Sequence, residues 1–99
     1  MFRLIRSARA RSHRLPEAVA YAKEIAEHSN ANHSISVTVF VEIFGDHNTI
    51  HWHIEYQGLA HIEEVLGNLM GDQEYWGIVG KGHELFIDGS HKDTLLASV

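Results

Sequence analysis

Ninety-nine residues make room for one domain, spanning 1–99, and exclude a second. Hydrophobic residues make up 44% of the chain and charged residues 21%, with one proline and no cysteine, so the composition describes a soluble globular domain. It excludes disulfides, thiolate metal sites and cysteine nucleophiles. The net charge of −5 is uneven. Five arginines (Arg3, Arg6, Arg9, Arg11, Arg14) precede the first acid, Glu17, and the remainder sets three lysines against thirteen acids. An acidic body argues against a nucleic-acid partner, because phosphate neutralisation needs a basic surface. No apolar run approaches membrane-spanning length. A cytoplasmic protein bound neither to nucleic acid nor to membrane is expected. There are nine histidines, and protonating all of them would move the formal charge from −5 to +4.

Residues 1–10 read as a first strand with mixed faces. The arginine-rich, acid-free opening has the composition of a transit peptide, but without this segment only three strands remain. Pro16 suits the first turn of a helix over 15–29, since its missing N–H would be unpaired there in any case. Leu15, Val19, Ala22, Ile25 and Ala26 give that helix its apolar stripe. Residues 35–44 alternate strictly, with Ile35, Val37, Val39, Val41 and Ile43 on one face. Gly45-Asp46-His47-Asn48 is a turn. Residues 49–56 alternate again, Ile50, Trp52, Ile54 and Tyr56 on one face, Thr49, His51, His53 and Glu55 on the other. A helix over 58–70 follows Gly58, with Leu59, Ile62, Val65, Leu66 and Leu69 as its stripe. Asp72 can cap a short helix over 72–79. A last strand over 83–88 and a tail over 89–99 complete the chain.

This βαββαβ order, with right-handed crossovers, predicts an α+β, ferredoxin-like domain: one antiparallel sheet with its helices on one face. Closing the hairpin around 45–48 pairs Ile43 with Ile50, Val41 with Trp52, Val39 with Ile54 and Val37 with Tyr56, so both apolar sets share the helix-facing side. The same register sets Glu42 opposite His51, Phe40 opposite His53 and Thr38 opposite Glu55 on the open side. A face that mixes these groups with Phe44 and Phe86 is too apolar to stay wet and too polar for a dry core. Packing it on a second copy resolves that conflict, and two-fold symmetry is the default for such an association. A homodimer is expected.

The element order, the segment Asp72-Gln73-Glu74-Tyr75-Trp76, Lys81 and the ending Leu85-Phe86-Ile87-Asp88-Gly89-Ser90 resemble the dimeric α/β-barrel superfamily. Its members include NIPSNAP-like and antibiotic-biosynthesis-monooxygenase-like proteins. The resemblance covers nearly the full length. It implies two ferredoxin-like subunits joining their sheets into a barrel, often with a ligand cleft between sheet and helices. Haem-degrading relatives use an Asn, Trp and His constellation. The first strand here has no Asn, so that activity is not implied, and no cofactor is called for.

Two constellations could carry chemistry. His51, His53 and Glu55 share one strand face, with Glu42 across from His51. They are the candidate catalytic groups, and the four together are candidate ligands for a divalent transition ion. The alternative is a set of polar fillers in a dimer cavity, where they would buffer protons. Trp52, Tyr56, Tyr75, Trp76 and His83 form the second constellation, a candidate small-organic-ligand site with aromatic walls and polar tips. Trp52 and Tyr56 also read as plain core. Three functional readings follow: a ligand-binding homodimer with no assigned reaction, a cofactor-independent monooxygenase-like enzyme with a histidine base, and a structural dimer whose histidines respond to pH.

Overall fold

The computed structural model describes all residues, Met1–Val99. In chain order they form β1 (Phe2–Arg9), a single 3-10 turn (Ser12–Arg14), α1 (Leu15–Asn32), β2 (Ser36–Val41), β3 (Thr49–Tyr56), α2 (Leu59–Met70), α3 (Gln73–Gly80) and β4 (Lys92–Ala97). The sheet order is β2-β3-β1-β4 and every neighbouring pair is antiparallel. This is the ferredoxin-like α+β arrangement expected from the sequence.

Pro16 occupies the first turn of α1. The helix presents Ala18, Ala22 and Ala26 to the sheet, all buried, and these small side chains let it lie close over Trp52. It ends where Ser34 takes a φ of 49°. The Asn30 side-chain amide then bonds both the N–H and the C=O of Val37, fixing where β2 starts. Asp72 caps α3 as expected, its carboxylate accepting the Tyr75 N–H at 3.0 Å. The largest fully buried side chains are Ile50 of β3 and Val65 of α2.

The hairpin register differs from the expected one by two residues: Val41 pairs Ile50, Val39 pairs Trp52 and Val37 pairs Ile54, while Phe40 faces His51, Thr38 faces His53 and Ser36 faces Glu55. The cause lies at the turn. β2 stops at Val41, and the Glu42 carboxylate accepts the Asp46 N–H at 2.7 Å, folding residues 42–48 into a longer loop. Ile43 and Phe44 therefore leave the strand and are strongly exposed. A shift of two preserves every side chain's face, so Trp52, Ile54 and Tyr56 still point toward the helices.

The last strand is Lys92–Ala97 rather than 83–88. Residues 83–88 instead make turns and a single bridge, Ala10 to Phe86. Leu85 and Phe86 plug the end of the core, with Phe86 against Tyr21 and Trp52, so Phe86 is not on the open face. β4 gave no burial signal because it is an edge strand whose six side chains are all exposed. It is held by backbone pairing to β1 and by Arg6–Asp93.

Candidate ligand site

A cavity of about 490 Å³ lies between the helix-facing side of the sheet and the helices. That volume falls within the usual range for small-molecule pockets. Alternation along β1 sends Leu4 and Arg6 to its floor, beside Trp52 and Ile54 of β3. Tyr21 and Ile25 of α1 form one wall, Leu66 and Leu69 of α2 and Tyr75 of α3 another. Tyr56 also lines it, and His91, Lys92 and Asp93 form a charged rim.

Arg6 is the one arginine on this side of β1. Its guanidinium binds Asp93 through two parallel bonds, Nε to Oδ1 at 2.8 Å and Nη2 to Oδ2 at 2.8 Å. The Asp93 hydrogen bond holds the guanidinium firmly charged, and the pairing pushes the Asp93 carboxyl below its ordinary value. Burial raises all three cavity phenols, Tyr21 to about 12, although Arg6 opposes the rise. All three are therefore neutral hydroxyl donors at physiological pH. Tyr21 spends its proton on the Val79 carbonyl at 3.3 Å, whereas Tyr56 and Tyr75 keep theirs available. The cavity thus combines aromatic and aliphatic walls with a polar corner of one compensated arginine and two phenols.

Of the residues expected at a ligand site, Trp52, Tyr56 and Tyr75 line this cavity together. Trp52 is also core: it is buried, and its indole N–H is used on the Ala22 carbonyl at 3.3 Å. Trp76 and His83 do not join them. Both border a neighbouring cleft of about 480 Å³, and the Trp76 indole donates to the Leu69 carbonyl at 2.9 Å, tying α3 to the end of α2.

His51, His53 and Glu55 occupy the opposite face and cannot reach the cavity. Glu42 does meet His51, Oε1 to Nε2 at 2.8 Å, as a diagonal rather than a direct neighbour. The hydrogen bond from His51, then that from the Asp46 N–H, lowers the Glu42 carboxyl. Glu55 is taken by Arg3. His53 packs on Phe40 with ring centroids 4.6 Å apart, and burial, then Arg3 and His51, lower its imidazole below the ordinary range. These four candidate ligands are not brought together at one point. Three groups of ligand type do converge elsewhere, at His28, His33 and Asp72.

Sequence reasoning missed Arg6, Tyr21 and Asp93 as cavity residues. For Arg6 a signal existed: Leu4, Arg6 and Ala8 share one parity, and two of the three are apolar. Asp93 could not be found while the last strand was placed at 83–88.

Solved structures share this fold, an antiparallel ferredoxin-like sheet roofed by helices on one side. An uncharacterised NIPSNAP domain protein from Burkholderia xenovorans superposes with a TM-score of 0.84 at 12% identity, covering 100% of this chain and 95% of that one. A NIPSNAP family protein from Agrobacterium tumefaciens gives 0.77 at 19% identity, covering 99% and 92%. An antibiotic biosynthesis monooxygenase gives 0.75 at 12% identity, covering 100% and 99%. The chain therefore has the fold of the NIPSNAP and antibiotic-biosynthesis-monooxygenase proteins. The sequence matches no family model and no curated protein.

Proposed function

We propose that this chain is a cytoplasmic homodimer of the dimeric α/β-barrel type that holds a small, largely apolar organic ligand between sheet and helices. The observation that carries the ligand reading is the cavity, with Tyr56 and Tyr75 offering hydroxyls beside Arg6. Because Asp93 already neutralises Arg6, this corner favours an uncharged oxygen-bearing group such as a phenol or ketone. Titration with anthrone, followed by tryptophan fluorescence in wild type and in Trp76→Phe so that Trp52 is the remaining reporter, tests it. Saturable quenching that weakens about tenfold in Tyr75→Phe supports the reading. Indifference of wild type to anthrone and to a panel of phenols and quinols of similar size would sink it.

The dimer rests on the other face. Only 16 of the 99 residues are buried, while the open side of the sheet exposes Phe40 and Leu96, each 48% accessible, among the Arg3–Glu55 and Glu42–His51 pairs. A second copy would cover these apolar groups and offer each polar group a partner. Light scattering should report twice the 11.2 kDa chain mass, and Phe40→Asp should return it to a monomer.

A second reading, cofactor-independent oxygenation, takes its support from the fold shared with the monooxygenase and from His91 at the cavity rim. Such chemistry needs a base to form a substrate carbanion. Oxygen uptake with anthrone that disappears in His91→Gln would favour it over simple binding.

A further inference from the structure

Away from the cavity's polar corner, the C-terminal end of α1 meets the N-terminus of α3. His28 lies in the last turns of α1, His33 is its C-cap, and Asp72 is the N-cap of α3. The two imidazole side chains are 8% and 7% exposed and the Asp72 side chain 16%. Both Nε2 atoms aim at the same oxygen, Asp72 Oδ2, at 2.7 Å from His28 and 2.5 Å from His33. Asp72 Oδ1 is occupied by the Tyr75 N–H, which fixes the carboxylate's rotation and leaves Oδ2 to the histidines.

We propose that His28, His33 and Asp72 form a binding site for one divalent first-row transition ion, with zinc as its simplest occupant. Two imidazole nitrogens and one carboxylate oxygen converge within 4.8 Å of one another. That donor set suits zinc or ferrous iron and leaves an open coordination position for water. A shift of the carboxylate by under about 1 Å takes Oδ2 to ligand-to-ligand spacing from both nitrogens, given metal–ligand bonds of about 2.0–2.2 Å. The site sits where the negative end of α1 and the positive end of α3 meet, so the helix ends compensate each other and leave one carboxylate charge for the cation.

Coordination through Nε2 moves each ring proton to Nδ1, where an outer acceptor supports the ligand. For His28 the place beside Nδ1 is shared: the Asn32 amide Nδ2 lies 3.3 Å away and Glu74 Oε1, on an exposed side chain, 3.9 Å away, so Glu74 becomes the acceptor once Asn32 turns aside. For His33 Nδ1 the surroundings offer no partner. Affinity should therefore fall about 10–100-fold short of a fully supported site. Bound metal would lock α1 to α3 three residues before Tyr75, and so stiffen one wall of the ligand cavity.

Zinc calorimetry on chelator-stripped full-length protein is the test, with cobalt absorption reporting coordination geometry. Wild type should bind one ion per chain with a tetrahedral cobalt spectrum. Asp72→Asn retains an N-cap side chain and should stay folded by circular dichroism, yet bind about 100-fold more weakly. His28→Gln should behave alike. The double variant His51→Gln with His53→Gln should bind as wild type does. Wild type that takes up no zinc overturns the proposal, and so does binding that survives Asp72→Asn but vanishes in the His51/His53 variant.

Discussion

Gly82 lies against the ring of Tyr21, so close that a Cβ placed on Gly82 would stand 2.6 Å from Tyr21 Cε1 and 2.7 Å from its hydroxyl. No real Cβ is accommodated at such distances, so the ring or the turn must move. Tyr21 is both a cavity wall and a neighbour of Phe86 in the core. Gly82→Ala should therefore cost about 1–3 kcal/mol, as overpacking commonly does. Urea denaturation gives the loss, and a crystal structure of the variant should show Tyr21 displaced toward the cavity.

Trp52 carries a larger share of the stability. It packs between the alanine stripe of α1 and Phe86, with its indole N–H bonded to Ala22. Trp52→Ala should destabilise by about 3–5 kcal/mol, measured by urea denaturation. Trp52→Phe should cost less, because it keeps most of the ring volume and loses mainly the hydrogen bond.

Arg6 and Asp93 connect β1 to the edge strand and form the cavity's polar corner. Arg6→Lys cannot reproduce the two parallel bonds. The pair is about half exposed, so the stability change should stay within about 1 kcal/mol. Ligand affinity should fall further than stability. Anthrone titration alongside thermal melting separates the two effects.

The Glu42 loop is expected to respond to both backbone and pH. Gly45 holds a φ of +109°, and a Cβ there would approach Glu42 Oε2 at 2.8 Å. Gly45→Ala should cost about 1–3 kcal/mol through backbone strain. The lowered Glu42 carboxyl contributes stability that is complete above its unfolded value near 4.5 and is lost as pH falls through the folded value. Acid-induced unfolding should thus be shallower in Glu42→Gln, followed by circular dichroism between pH 6 and 2.

His53 acts in a higher window. Arg3 from β1 and His51 on its own strand are the charged groups that disfavour its protonation, with Glu55 and Glu42 engaged in their own pairs. Its folded value lies below the unfolded 6.5, so the unfolded chain binds the proton first. Stability is complete above about pH 6.5 and declines as pH drops through that value toward the folded one. Covering the open face with a second copy would deepen His53 burial. The dimer should then dissociate between about pH 7 and 5, and His51→Gln with His53→Gln should abolish the change in scattering mass. A wild-type mass constant across that range excludes a pH response at this face.

Local pattern determined much of this. Period-two alternation assigned β3 to 49–56 and told its two faces apart, because a strand's side-chain direction depends only on parity. That is why a register error of two left Trp52 and Tyr56 inside and His51 and His53 outside. Helical spacing placed α1 and α2, and Asp72 was legible as a cap since capping is decided within four residues. Tertiary structure decided the rest. The Glu42–Asp46 bond set where the hairpin turns, and β4 became an edge strand because pairing to β1 needs hydrogen bonds rather than buried side chains. Leu85 and Phe86, apolar enough to read as a strand, were spent on plugging the core. Arg6 meets Asp93, and His28 and His33 meet Asp72, across 87, 44 and 39 residues of sequence. Contacts at that range are created by strand pairing, for Arg6 and Asp93, and by helix-on-helix packing, for the histidines, and no local periodicity encodes them.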